Sequence, residues 1–277
     1  MLICIDHPDV LPTILPVCLL VTAVPPDGTK EAGTFFRTFR TASRQLAVIG
    51  FSPSVVQRLQ QAVAGKVSYL PPTGQPVQPF TALQREAARE NYAGGLDYFA
   101  FAGDLGESHR LTVLLKAFSI FKKRQRSGMR LVIAGQQTRE TGAWLTSLDT
   151  YKYRDDVRVV TDPPSGVLHA IIAGAYAFVY PAVRDHLPVN VWYAMQAGVP
   201  VVASPVPAIT EVAAQAVLYA AGDDETGFAA AMQTVYKDES LRDDLIVRGS
   251  RHMDGLAQDA AAGCWQILCR LSQLKSP

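Results

Sequence analysis

The sequence is poor in the residues and patterns that mark most specialised protein classes. Only 4 cysteines occur in 277 residues. Cys4, Cys18, Cys264 and Cys269 lie at the two ends without CxxC spacing, so neither a zinc site nor a disulfide framework is expected, and a reducing cytoplasm is the default compartment. Charge of one sign is missing too: Lys+Arg number 26 and Asp+Glu 25, for a net charge of +1. That balance offers no electrostatic footprint for nucleic acid or an anionic membrane. Of only 5 histidines, His169 and His252 have no metal-type partners at useful spacing. No Ser-His-Asp, P-loop or GxGxxG pattern is present. The one run that invites comparison with a membrane span, Val10 to Val24, is about 15 residues long, below the ~18 a spanning helix needs. It carries Pro12 and Pro16, and Asp6 and Asp9 precede it without Lys or Arg, so the cationic start of a secretory signal is missing as well. It reads as buried core, with peripheral membrane contact as the alternative.

What is present is ordinary globular composition, with 48% hydrophobic and 18% charged residues, 20 Gly and 18 Pro, which excludes disordered, collagenous and coiled-coil architectures. At roughly 150 residues per domain the chain holds about two domains. Short β-rich apolar runs alternate with helix-length amphipathic stretches, the pattern of parallel sheets covered by helices, so the fold class is α/β. In the second half six strands are expected at Tyr98–Ala102, Arg130–Ala134, Val157–Val160, Ala177–Tyr180, Val199–Ala203 and Ala216–Tyr219. Helices fall between them at Leu111–Arg124, Thr138–Leu148 and Ser165–Gly174, the first closing on the cations Lys122, Lys123 and Arg124. From Asp224 the chain reads as helical to Leu274. This half is a doubly wound, Rossmann-like domain.

The first half offers three strands, Leu2–Ile5, Leu46–Ile49 and Lys66–Leu70, with helices near Thr34–Ser43 and Pro53–Ala64. Three strands make a thin sheet for an independent domain. Pro71–Pro79 reads as an extended connection and Tyr92–Leu96 as the boundary. The expected organisation is therefore a domain over 1–95 and a second over 96–277.

The most informative stretch runs Ala177-Phe-Val-Tyr-Pro-Ala-Val-Arg-Asp-His-Leu-Pro-Val-Asn-Val-Trp-Tyr-Ala-Met-Gln-Ala-Gly-Val-Pro-Val-Val-Ala-Ser and continues to Ile209-Thr-Glu-Val-Ala. It resembles the signature of the family 4 (group 1) glycosyltransferases, the retaining nucleotide-sugar enzymes of the GT-B fold. Smaller matches follow in family order at Phe99–Gly103, Leu114-Leu-Lys-Ala-Phe118 and Leu131–Gly135, and more faintly at Leu46-Ala-Val-Ile-Gly-Phe-Ser-Pro. The resemblance implies a GT-B-like architecture: a complete Rossmann-like domain from about residue 96 preceded by a shortened one. About 95 residues stand where a complete partner domain needs roughly 150, and because Leu2–Ile5 reads as a mid-sheet strand, the deficit is expected at the beginning.

The resemblance also assigns roles. Two family glutamates seven residues apart, one near the donor sugar and one on the nucleotide ribose, fall on Asp185 and Tyr193, and the family's glycines between them become His186 and Pro188. Tyr193 cannot accept two ribose hydrogen bonds as a carboxylate does. The bland readings are an N-cap for Asp185 and a packed helix residue beside Trp192 for Tyr193. After Gly103, the family arginine and lysine that balance the donor diphosphate fall on Asp104 and His109. Arg110, one place along, is the substitute cation, assisted by backbone N–H groups at a helix start, unless it pairs with Glu107 or Asp104 at the surface. Glu211 matches a glutamate near the donor cleft, or else caps a short helix, and Asp6-His7 lies on the acceptor side or in a turn.

The function implied is transfer of a hexose from a nucleotide diphosphate sugar to a glycan or lipid acceptor, without a metal or other cofactor and with an altered donor site. The catalytic residue would be Asp185, and Gly103, Asp104, His109, Arg110, His186, Tyr193 and Glu211 would bind donor. The competing reading is a non-catalytic relative that binds a partner glycosyltransferase, a second copy of itself or a glycan. Diphosphate stabilisation dominates catalysis when no protein nucleophile is used, so changes at positions 104 and 109 weigh more than one lost sugar contact.

Overall fold

The computed structural model describes residues 2–4, 17–21, 46–50, 53–62, 67–70, 80–183, 187–221 and 223–273. It divides into two compact units, Met1–Thr73 with Asp254–Pro277, and Gly74–Met253.

The first unit carries a parallel sheet in the order β1-β2-β3-β4, made of β1 (Leu2–Cys4), β2 (Val17–Val21), β3 (Leu46–Gly50) and β4 (Val67–Tyr69). Three of these match expectation. The fourth, β2, comes from the apolar Val10–Val24 run, and it takes an inner place between β1 and β3. Its composition explains this: Val-Cys-Leu-Leu-Val is the continuous apolar pattern of a strand covered on both faces, and it starts just past Pro16. β1, expected mid-sheet, stands at an edge of the sheet that the described residues form. Helix α1 (Pro53–Ala62) follows β3 in the chain, and a Cβ on Gly50 would lie 2.8 Å from Val56 Cγ2, so a larger residue at position 50 would have to displace that side chain. The helix expected near Thr34–Ser43, the connection Pro71–Pro79 and the Asp6-His7 pair lie outside the described residues.

The second unit begins with a helix that the periodicity reading passed over, α2 (Ala82–Ala93). Thr81 and Gln84 form a reciprocal capping box and Gly94 closes the helix at φ 62°, both of which are written in the local sequence. Its contacts with the domain that follows explain why the unit starts before residue 95: Arg85 donates to Ala173 O and Ala197 O, and a Cβ on Gly174 would meet Ala88 Cβ at 2.7 Å.

Six parallel strands then form one sheet: β5 (Tyr98–Ala102), β6 (Arg130–Gly135), β7 (Val157–Thr161), β8 (Ala177–Tyr180), β9 (Val201–Ala203) and β10 (Leu218–Tyr219). Their order is β10-β9-β8-β5-β6-β7. Counted along the chain and read from the other edge, this is 3-2-1-4-5-6, the order of doubly wound dinucleotide-binding domains. Every residue of β5, β8 and β9 is buried, as a parallel sheet covered on both faces requires. The crossover helices are α3 (Leu111–Gln125), α4 (Thr141–Leu148), α5 (Ser165–Ala173), α6 (Val189–Gln196) and α7 (Pro207–Ala213). α3 buries Leu111, Leu114, Leu115, Phe118 and Phe121, the stripe its spacing predicts, and packs against α8 (Glu225–Lys237). The cations at its end do more than face the helix dipole. Lys122 Nζ donates to Ser127 O at 2.7 Å and Met129 O at 3.1 Å and pairs with Asp156 at 3.0 Å, which fixes the turn into β6. The last helix, α9 (Glu239–Gln273), runs without a break. Among the described residues, no helix is long and apolar enough to cross a membrane.

Candidate donor crevice

In a sheet of this order the chain reverses its direction of winding between β5 and β8, and ligands bind outside the carboxyl ends of the strands at that point. Here those ends are Ala102-Gly103 and Tyr180-Pro181-Ala182, the two places where the sequence resemblance is densest.

The floor on the β5 side is built from closely apposed backbone. Gly103 N donates to Ala134 O at 3.1 Å and Leu105 N to Gln136 O at 2.9 Å. A Cβ on Gly135 would fall 1.6 Å from Gly103 O, so position 135 admits only glycine with this backbone. Asn190, in the first turn of α6, donates from Nδ2 to Ala102 O at 3.1 Å. That bond fixes the start of α6 to the end of β5 across the switch point. Asn190 lies within the quoted signature, yet no chemical pattern singled it out, because its partner is a backbone carbonyl far along the chain.

The loop after Gly103 is drawn inward rather than open. Residues Glu107–His109 make one 3-10 turn, and Val183 N donates to Ser108 O at 2.9 Å, tying this loop to the segment after β8. His109 is therefore buried at 6% exposure, with its Nε2 2.9 Å from Tyr180 Oη and its ring edge-on to Phe101. A lysine at this position would reach outward; this imidazole is part of an aromatic cluster instead. Asp104 and Arg110 are exposed. Arg110 adopts the left-handed conformation at φ 48°, its carbonyl accepts the N–H groups of Val113 and Leu114, and its guanidinium pairs with neither Glu107 nor Asp104. It stands at the rim of a hollow of about 630 Å³ walled by Leu105, Leu111, Val113 and Trp144, with Glu107 and Glu140 alongside. Glu140 is held to this loop by accepting the Glu107 N–H at 3.1 Å.

On the β8 side, Asp185 and His186 lie outside the described residues. Tyr193 points into the protein at 4% exposure, stacked on His169 with ring centroids 4.1 Å apart. Its Oη is buried and has no hydrogen-bond partner among the described residues. Burial pushes the Tyr193 hydroxyl up to about 12 and pushes the His169 imidazole below its ordinary value. The packed-residue reading of Tyr193 is the one this geometry matches, and the aromatic neighbour is His169. Glu211 sits half-buried on α7. At the end of β9, Ser204 is 2% exposed with its Oγ unpartnered among the described residues. Among the described residues no group of three or more His, Cys, Asp or Glu side chains is placed to hold a metal ion.

A family model described as Glycosyl transferases group 1 matches residues 84–252. The chain belongs to this family. The match begins within α2, in agreement with the packing of that helix onto the second unit. O-antigen chain mannosyltransferase B of Escherichia coli is 25% identical over 214 residues, which are 74% of this chain and 54% of that protein. The chain thus spans about half the length of this curated relative. Sucrose-phosphate synthase from Thermosynechococcus elongatus superposes with a TM-score of 0.75 at 18% identity, covering 93% of this chain and 68% of that one. HepE from Anabaena, solved in complex with UDP and glucose, does so with a TM-score of 0.73 at 14% identity, covering 93% and 72%. At these identities the superpositions establish the α/β fold of GT-B glycosyltransferases.

Proposed function

We propose that the protein binds a nucleotide diphosphate sugar at the carboxyl ends of β5 and β8 and transfers its hexose, with retention, to a glycan or lipid acceptor. The observation that carries this reading is the 3-2-1-4-5-6 sheet of a glycosyl transferases group 1 member, with glycine-lined backbone at the switch point. The mannosyltransferase relative and the neighbour solved with UDP and glucose agree with a sugar nucleotide as donor. In this reading the exposed Arg110 supplies the cation for the diphosphate, Gly103 allows its close approach, Asp185 faces the sugar, and Asp104, His186 and Glu211 border the site. Electrostatic stabilisation of the leaving diphosphate is the main catalytic contribution. No metal is assigned to the step, and the chemistry does not call for one.

A second reading is favoured by His109 and Tyr193. These two of the family positions expected to contact donor are occupied by rings turned into the core, one hydrogen-bonded to Tyr180 and one stacked on His169. Neither bonds a donor without rotating out of its packing. A non-catalytic subunit that partners a glycosyltransferase or a second copy of this chain is consistent with that loss. Turnover separates the two. With a panel of labelled nucleotide sugars, the enzyme reading expects donor hydrolysis or transfer that drops by about two orders of magnitude in Asp185→Ala, the scale of losing one group that stabilises a transition state. Absence of turnover with every donor, in a protein that recovers a glycosyltransferase on pull-down, would establish the second reading instead.

A further inference from the structure

At the opposite end of the same sheet three arginines meet. A pocket of about 280 Å³ lies at the amino ends of β5, β8 and β9, lined by Arg85 and Arg89 of α2, Asp97 and Tyr176 just ahead of β5 and β8, and Arg242 in the first turns of α9. All belong to the Gly74–Met253 unit. The strands point away from this pocket, so it is separate from the crevice at their carboxyl ends.

The three guanidiniums are engaged to different degrees. Arg85 is committed to the protein, through the carbonyls of Ala173 and Ala197. Arg89 pairs with the exposed Glu86 at 3.2 Å and, more loosely, with Asp97 at 3.8 Å. Arg242 lies over the Tyr176 ring, 4.7 Å from its centroid, and pairs loosely with Asp243 at 3.6 Å. Its Nε is buried without a partner among the described residues, so few bonds lock this guanidinium in place. The pocket lining holds three cations and the carboxylate of Asp97, with Glu86 and Asp243 pairing to Arg89 and Arg242 from outside the lining, and desolvation together with the neighbouring charge of Arg89 lowers the Arg85 guanidinium below its ordinary value. Two like charges sharing a partly dry space are relieved by an anion between them.

We propose that this pocket is a binding site for a phosphate group, either free phosphate or a small phosphate monoester. A tetrahedral phosphate offers oxygens in several directions and is held by forked guanidiniums from two separate elements at once, Arg89 from α2 and Arg242 from α9, whereas a carboxylate presents a single fork. The volume suits a group of this size, being near the lower bound of small-ligand pockets at roughly 300 Å³. Tyr176 supplies the ring face beneath Arg242. Arg85 links the site to the rest of the domain, because its two carbonyl partners end α5 and α6, and α6 reaches the donor crevice through Asn190.

The test is calorimetric titration of the whole protein with inorganic phosphate and, separately, with glycerol 3-phosphate, against chloride at matched ionic strength. Saturable binding of at least one is expected, weakened roughly tenfold or more in Arg89→Gln and in Arg242→Gln and unchanged in Lys116→Gln, an exposed cation of α3 outside the pocket lining. Phosphate alone binding marks a free-ion site, and preference for glycerol 3-phosphate marks a monoester site. Amide NMR shifts of Gly174 and Gly198 in the unaltered protein should move with the same titration, a readout that needs no variant to fold. Heats no larger than those of chloride, unmoved Gly174 and Gly198 amides, or binding lost in Lys116→Gln and retained in Arg242→Gln would each overturn the proposal.

Discussion

Tyr193 stands where the family resemblance calls for a ribose-binding glutamate, and its surroundings explain how the helix tolerates the change. A glutamate there would need the crevice to be wet or occupied, while a tyrosine stacks on His169 and buries its ring. Its hydroxyl is the cost, since it is buried without a partner and an unpaired buried hydroxyl is destabilising by about 1–3 kcal/mol. Tyr193→Phe should therefore leave stability unchanged or raise it by up to about 1 kcal/mol in urea unfolding, and nucleotide affinity should stay the same. A loss of nucleotide affinity in this variant would place the hydroxyl in the donor site. His109 differs in kind: its Nε2 has a partner in Tyr180, so the same logic assigns it to the core as a hydrogen-bonded member rather than an orphan.

The helices that flank the crevice are held from behind. α5 and α6 end on carbonyls that accept hydrogen bonds from one arginine of α2, so Arg85 satisfies orphan groups at two helix C-termini and sits favourably against both dipoles. Arg85→Met keeps the stem and removes the charge. It should cost about 3 kcal/mol or more, two charge-assisted hydrogen bonds at about 1.5–3 kcal/mol each, read as a lower urea midpoint with an unchanged slope. Much of this element level is legible in the sequence. Tyr98-Phe-Ala-Phe-Ala and Ala177-Phe-Val-Tyr announce themselves as buried parallel strands, and α3 runs within one residue of the stretch its apolar spacing marks. α2 was missed because Ala-Leu-Gln-Arg-Glu-Ala-Ala-Arg-Glu has a weak apolar stripe, although Thr81, Gln84 and Gly94 spell out both of its ends. β2 was seen as core and not as a strand, because Pro12 and Pro16 interrupt the run that contains it. The burial of His109 was not legible: it depends on Tyr180 and on the Val183 to Ser108 bond, both more than 70 residues along the chain.

Across the whole molecule, three tyrosines, Tyr193 buried and Tyr151 and Tyr219 half-buried, set a common limit at high pH. Burial raises the hydroxyls of Tyr151, Tyr193 and Tyr219 to about 12, whereas unfolded tyrosines ionise near 10. Between these values the folded protein holds more protons than the unfolded one, so stability that is complete below about pH 10 falls as pH rises toward 12. The last part of the tyrosinate absorbance should then appear together with loss of circular dichroism in that window, and complete tyrosinate absorbance in a protein whose circular dichroism is intact would contradict the shielding of these three hydroxyls. At the same scale, the switch point of this doubly wound glycosyl transferases group 1 sheet is proposed to receive a nucleotide through Gly103 and Arg110, with His109 and Tyr193 packed inward. Equilibrium titration with nucleoside diphosphates tests it most directly. The account predicts saturable binding by the unaltered protein that weakens about tenfold, or 1.4 kcal/mol, in Arg110→Gln and is untouched by Tyr193→Phe. No binding of any nucleoside diphosphate at millimolar concentration, or binding indifferent to Arg110, would contradict it.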